Sequence, residues 1–232
     1  MNGLKFLDEK IIALRNEMRE QEQHELAQKE AALQKEQAPT EGAPLEEQSE
    51  QQAIDLYQKF ITIDEQEIAV MEQQVLEGKI TLRMPKLFSI MSAELASLKY
   101  PSERRPTIIY TDESSTINLA FNLTTHDLAD AGVTDFQETM IDVLEQAQPA
   151  AEWFDTDVIT IHDKTVGFIE VITPAIDGDI FNLMFFVSIN EQALIGTFNC
   201  LEEDIETWRP IARAMMSSMQ FTTHSRIGGI SR

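Results

Sequence analysis

At 232 residues with 43% apolar content, the chain is long enough to bury a real core, and its single cysteine excludes an intramolecular disulfide and a cysteine-rich zinc site. A formal net charge of -22 sets it against nucleic-acid phosphates and anionic lipid, which repel an acidic protein at long range. No run of about 18 apolar residues offers a membrane span, and the opening MNGLKFLDEKIIALRNEMRE scatters charge through its apolar positions, so a cytoplasmic protein without a secretory leader is expected.

Residues 2–37 lack proline and, after Gly3, glycine, and are rich in strong helix formers, which predicts a long N-terminal helix over 1–37. Leu4, Leu7, Ile11, Leu14 and Met18 recur at heptad spacing, but the next two seam positions are Gln21 and Glu25. Two heptads are short for an isolated coiled coil. With Phe6 and Ile12 widening the stripe, the pattern reads as an arm that docks on its own domain, on a second copy or on a partner. Residues 38–52, with two prolines and a glycine among polar residues, read as a linker. Residues 53–78 then read as a connecting segment. Ala53, Ile54, Leu56, Tyr57, Phe60 and Ile61 make a helical face over two turns, while 66–76 fits a helix by its Glu and Gln and a strand by the spacing of Ile68 and Val70.

From Lys79 strands and short helices alternate. KITLRMP predicts a strand with Ile80, Leu82 and Met84 on one face, and FSIMSAELASLKYP a helix with Phe88, Met91, Leu95 and Leu98 along one side. Segments 107–111 and 116–123 are joined by Asp112-Glu113-Ser114-Ser115, a hairpin signal. Phe136–Gln148 is an amphipathic helix carrying Met140, Val143 and Leu144. Strands follow over 156–162, 165–173, 179–189 and 192–200, joined by turn residues at hairpin length. Leu201–Met219 is a closing helix with Ile205, Trp208, Ile211, Ala212 and Met215 inward, and 222–232 a flexible basic tail. Consecutive hairpins mean antiparallel pairing, and the unalternating run Ile180–Val187 predicts a central strand covered on both faces. The expected fold is α+β, an α/β/α sandwich around a mostly antiparallel sheet of about six to seven strands.

These pieces, KITLRMP and its helix, TIIYTDESSTINLAFNLT, FIEVITPAIDGDIFNLMFFV and LIGTFNCLEEDIETWRPIARAMMSSMQF, make residues 79–221 resemble the PsbP-like fold, in particular its bacterial DcrB-like branch. That family includes photosystem accessory subunits, a nuclear-transport factor that binds a small GTPase, bacterial lipoproteins and chaperones for type VI secretion effectors. The resemblance implies recognition of other proteins, and it transfers no functional residue.

Charge is uneven along the chain: residues 106–208 hold Lys164 as the sole cation against 20 Asp and Glu. Such a block attracts cationic partners when it forms one surface, and it also serves simply as a solvated face. Cys200 sits where a strand meets a helix, a position that favours thiolates, but Glu202, Glu203 and Asp204 raise a thiol pKa, and packing beside Phe198 is the expected role. His24, His126, His162 and His224 form no ligand pair, and Asp177 and Asp179 supply two positions of a calcium loop without the rest. Trp208 is expected in the core. Trp153 suits either the core or a partner groove, and Arg104-Arg105 is a basic turn able to grip a carboxylate.

The expected function is a non-enzymatic protein-interaction module, an adaptor or chaperone for a secreted or effector protein, without cofactor or metal. The rivals are a structural subunit of a larger assembly such as a secretion apparatus and, third, a cysteine-dependent hydrolase using Cys200. Partner contact is assigned to Leu4, Leu7, Ile11, Leu14, Met18, Arg104, Arg105 and Trp153. The expected partner is another protein, a basic one, or a second copy through the N-terminal helix; nucleic acid and membrane insertion are not expected.

Overall fold

The structure, a computed structural model, describes residues 54–100, 105–175 and 178–222. All lie in one unit spanning Glu50–Arg232. The expected helical arm, the linker and the basic tail beyond Thr222 lie outside the described residues.

Tight turns set the hairpins. Strands β1 (Phe60–Ile63) and β2 (Gln66–Val75) meet at Asp64-Glu65, and β3 (Ile80–Pro85) follows the turn at Leu76 to Lys79. Further along come β4 (Ser89–Ile90), β5 (Ile108–Thr111) and β6 (Asn118–Asp127). Strands β7 (Glu152–Ile161) and β8 (Lys164–Thr173) close on His162-Asp163, and β9 (Ile180–Ile189) and β10 (Gln192–Leu201) on Asn190-Glu191. In the last two turns φ runs 44° and 63°, then 52° and 64°. Two residues with positive φ form the turn whose twist matches that of the strands it joins. Strand β11 (Gln220–Phe221) ends the described chain. The helices are α1 (Ala93–Lys99), α2 (Val133–Ala147) and α3 (Ile205–Ser217).

The strands form a seven-stranded sheet in the order β4-β5-β6-β10-β9-β8-β7 and a four-stranded sheet in the order β1-β2-β3-β11. Every strand pair among the described residues is antiparallel. On one face of the large sheet Phe181, Phe185 and Phe198 share a core with Trp208, Ile211 and Met215 of α3 and with Ile80, Leu82 and Met84 of the small sheet. On the other face Ile169, Val171 and Phe186 lie under Met140, Ile141 and Leu144 of α2, and Ile109 and Ala120 under Leu95 and Ala96 of α1. Strand β9 is thereby covered on both sides, as its unbroken apolar run requires. Each fully buried aromatic in this core is worth about 1.5–3 kcal/mol by area.

Several expectations are corrected. The helical face over 53–61 is absent: a turn held by Asp55 Oδ1 accepting from Tyr57 N–H at 2.8 Å leads straight into β1. There the β-branched Ile61 and Ile63 face inward with Phe60 and Thr62 outward. Residues 66–75 are strand. Together β1 and β2 make half of a second sheet, so 53–78 does more than connect, and one face of the main sheet is shared between a helix and that sheet. The helix expected from Phe88 begins only at Ala93, after β4, because Ser92 caps it by accepting from Leu95 N–H at 3.2 Å. Leu98 is consequently 79% exposed. The closing helix starts at Ile205, behind a 3-10 turn over Glu202–Asp204, and ends at Ser217 to release β11.

Candidate functional site

The face of the large sheet under α1 and α2 carries a row of polar side chains across four strands. Register sets Thr111 opposite Asn118, Asn118 opposite Asn199, and Asn199 opposite Asn182, across β5, β6, β10 and β9. The two-residue period of a strand puts these four on the same face as Ile109, Ala120, Ile195 and Met184. Thr111 Oγ1 donates to Asn118 Oδ1 at 2.8 Å, and Asn118 Nδ2 donates to Asn199 Oδ1 at 3.0 Å. Asn182 turns the other way, its Nδ2 donating to Thr173 Oγ1 at 3.1 Å and to the Ile180 carbonyl at 3.0 Å. Thr111 and Asn118 are 5% and 4% exposed. Polar groups buried this deeply are stabilising only when paired, and this half of the row is.

Above the row lies a cavity of about 630 Å³, bounded by Leu98, Lys99 and Tyr100 at the end of α1 and by Ile180 and Thr173 where β8 gives way to β9. Its volume falls in the range of small-ligand and side-chain pockets. Burial pushes the Tyr100 phenol above its ordinary value, against the opposing effect of its hydrogen bond with Asn199, so the group is a neutral hydroxyl at physiological pH. The Lys99 ammonium donates to the Ser115 carbonyl.

A second hollow of about 310 Å³ shares Thr116 with the first and is lined by Asp64, Asp112, Asp204 and Trp208. Burial, then the charges of Glu203, Asp64 and Asp112, push the Asp204 carboxyl upward. Among the described residues no group of three or more His, Cys, Asp or Glu is placed to hold a metal ion.

Cys200 is 1% exposed, on the opposite side of β10 from Asn199, within the core of Phe198 and Trp208. Burial first, and Asp204 second, push its thiol up to about 12. A nucleophile needs a thiolate and access, and Cys200 has neither.

The strongest charge cluster is structural. Glu170 on β8 is fully buried, with Arg209 Nε donating to Oε2 at 2.8 Å and Arg213 Nε to Oε1 at 2.6 Å. Arg213 also donates to Asp155 Oδ2 on β7 at 2.6 Å, and it is the main cause of the lowered pKa of that carboxyl. Two arginines one turn apart thus clamp α3 to the sheet.

Trp153, 37% exposed, lies on edge strand β7, and Arg105 lies near the far edge, its Nη1 donating to Ser97 Oγ of α1 at 2.6 Å. The two are not brought together. Leu4, Leu7, Ile11, Leu14, Met18 and Arg104 lie outside the described residues. On the β7 edge two outward N–H groups are already engaged. Ile161 and Lys164 flank the two-residue turn, so alternation sends the N–H groups of Thr156 and Val158 outward. The Asp155 carboxylate takes the first, and Asp157 Oδ1 the second at 2.7 Å.

Sequence reasoning missed the row. The signal was present: Ile117-Asn118-Leu119, Phe181-Asn182-Leu183 and Phe198-Asn199-Cys200 each set an asparagine, a poor strand former, between apolar residues of a strand.

No family model and no curated protein matches the chain. Among solved structures it is similar to the solution structure of the cyanobacterial PsbP, CyanoP, from Synechocystis sp. PCC 6803, with a TM-score of 0.49, 11% identity, and 66% of this chain and 92% of that chain covered. It is also similar to LpqN of Mycobacterium tuberculosis, involved in cell envelope biogenesis, with a TM-score of 0.46, 14% identity, and coverage of 66% and 92%. A third, PA94 of Pseudomonas aeruginosa, a protein of unknown function, has a TM-score of 0.41, 13% identity, and coverage of 66% and 98%. The PsbP-like fold that the sequence resembles is among these neighbours, and their descriptions do not address its DcrB-like branch.

Proposed function

We propose that the chain is a non-catalytic protein-interaction module that grips its partner at the asparagine-floored cavity, in the service of an adaptor or chaperone role. The observation that carries this reading is the polar row itself, buried and fixed in register beneath an open, partly apolar rim. Amides and a phenol bind and orient; they supply no nucleophile or general base at neutral pH. The adjoining hollow with Asp64, Asp112 and Asp204 favours a partner that carries lysine or arginine beside the contact, by charge complementarity.

The test is position-specific photo-crosslinking of the full-length chain in its native host. A benzophenone side chain replacing Leu98 on the cavity rim is expected to give one discrete protein adduct, and the same group replacing Val143, 50% exposed on α2, none. Equal labelling from both positions, or an adduct from Val143 alone, overturns the assignment of the cavity.

A further inference from the structure

What the cavity reads follows from its charge and from the way its amides point, an inference that rests on the cavity being the contact site. In a chain with 40 Asp and Glu, the described residues lining it include no carboxylate, and Lys99, the one cation among them, already donates to the Ser115 carbonyl. The Tyr100 phenol is neutral. Among these described residues a charged group sheds its hydration without meeting a free counter-charge, whereas a neutral amide exchanges its water hydrogen bonds for equivalent ones.

The floor supplies those equivalents in a fixed arrangement. Asn199 Oδ1 accepts from Asn118, and the contact of Asn199 with the Tyr100 phenol lowers that group's pKa, the effect of a donor, so Nδ2 is the group that meets the hydroxyl oxygen. That leaves the Tyr100 O–H and the second proton of Asn199 Nδ2 as donors. On the neighbouring strand Asn182 has committed its Nδ2 to Thr173 and Ile180, which leaves Oδ1 as the acceptor. Asn199 and Asn182 are direct cross-strand neighbours, about 4.5–5.5 Å apart at their Cβ atoms. A donor and an acceptor on adjacent strands at that spacing bracket one amide, donating to its C=O and accepting from its N–H, as sheet neighbours do.

We propose that the cavity binds a primary carboxamide, the side chain of a glutamine or asparagine presented by the partner protein. Tyr100 and Asn199 donate to its carbonyl oxygen, and Asn182 Oδ1 accepts from its NH₂. Leu98 and Ile180 on the rim contact the aliphatic stem that carries the amide down to the floor. A backbone amide lacks such a stem, so the end group of a flexible side chain is the better fit to a concave floor.

The test uses the ¹⁵N-labelled full chain, with the side-chain NH₂ resonances of Asn182 and Asn199 followed by NMR. The probes are N-acetyl-glutamine N-methylamide and its glutamate counterpart. The glutamine probe is expected to shift both resonances saturably, with a Kd on the order of millimolar for so small a ligand. The glutamate probe is expected to bind about tenfold more weakly or worse, and Tyr100→Phe to weaken the glutamine probe about fivefold with the backbone spectrum unchanged. Equal or tighter binding of glutamate at the same resonances overturns the amide assignment and leaves the cavity as a contact site. Silence of both resonances with both probes overturns the cavity itself. An unchanged glutamine affinity in Tyr100→Phe, or in an Asn199→Ser variant that keeps the wild-type backbone spectrum, overturns the assigned donors.

Discussion

Asn118 donates through Nδ2 to Asn199 Oδ1 at 3.0 Å, across two strands whose register sets them face to face. The bond continues the one from Thr111 Oγ1, so Asn118 is the middle of a relay with both ends buried or half-buried. Asn118→Ala leaves Thr111 Oγ1 and Asn199 Oδ1 unpaired together. The expected loss is about 2–4 kcal/mol, more than a single hydrogen bond, because two groups are orphaned. Urea unfolding measures it, and Thr111→Val/Asn118→Leu, which removes both sides of one bond, is expected to cost less than Asn118→Ala.

Gly196 on β10 stands opposite Phe185 on β9, and a Cβ added at Gly196 would fall 2.0 Å from the Phe185 ring. The far end of the ring meets the glycine, and at 1% exposure the side chain has nowhere to retreat. Gly196→Ala is expected to destabilise the protein by about 3 kcal/mol, toward the upper end of overpacking costs. Adding Phe185→Leu should recover part of that loss in thermal unfolding, a non-additivity that two independent sites would not show.

With its thiol pushed up to about 12, Cys200 carries a thiolate fraction of about 10⁻⁴ at pH 8, against roughly a quarter for an ordinary thiol. Iodoacetamide is therefore expected to modify the native protein at least about a thousandfold more slowly than the urea-unfolded chain, as read by intact mass. Native alkylation at the unfolded rate would show an accessible thiol and restore the hydrolase reading.

The Asp204 carboxyl is raised by burial and by Glu203, Asp64 and Asp112. A raised carboxyl in the folded state contributes stability that is fully present below the unfolded value of about 3.9 and is lost as pH rises through the folded value. At pH 7 the ionised group therefore costs stability. Asp204→Asn is expected to raise Tm at pH 7 by a few degrees, with the gain shrinking at pH 3, where wild type is protonated. The helix start at Ile205 favours a negative charge and opposes the effect, so a fall in Tm at pH 7 would show that the helix end prevails.

Strands with β-branched alternation or unbroken apolar runs, β3 and β7 to β10, were legible because their period is local. The segment at 53–61 was not, since the i, i+3 spacing of apolar residues there arises from a turn followed by a two-faced strand. The small sheet was hidden because β11 is two residues long and pairs with a strand about 140 positions earlier. Cys200 and Trp208 were placed correctly in the core by their neighbours. The asparagine row was illegible as a row: three residues far apart in sequence become one feature only through a register that no single segment encodes.

The central claim is that the polar row is what the partner touches. Its most direct test is the Kd, by titration calorimetry, of the protein crosslinked from position 98 for wild type and for Asn199→Ser, with the fold checked by near-ultraviolet circular dichroism. Loss of the Asn199 donor is expected to weaken binding about tenfold, the equivalent of about 1.4 kcal/mol for one hydrogen bond. An unchanged Kd in a folded Asn199→Ser chain would contradict the account.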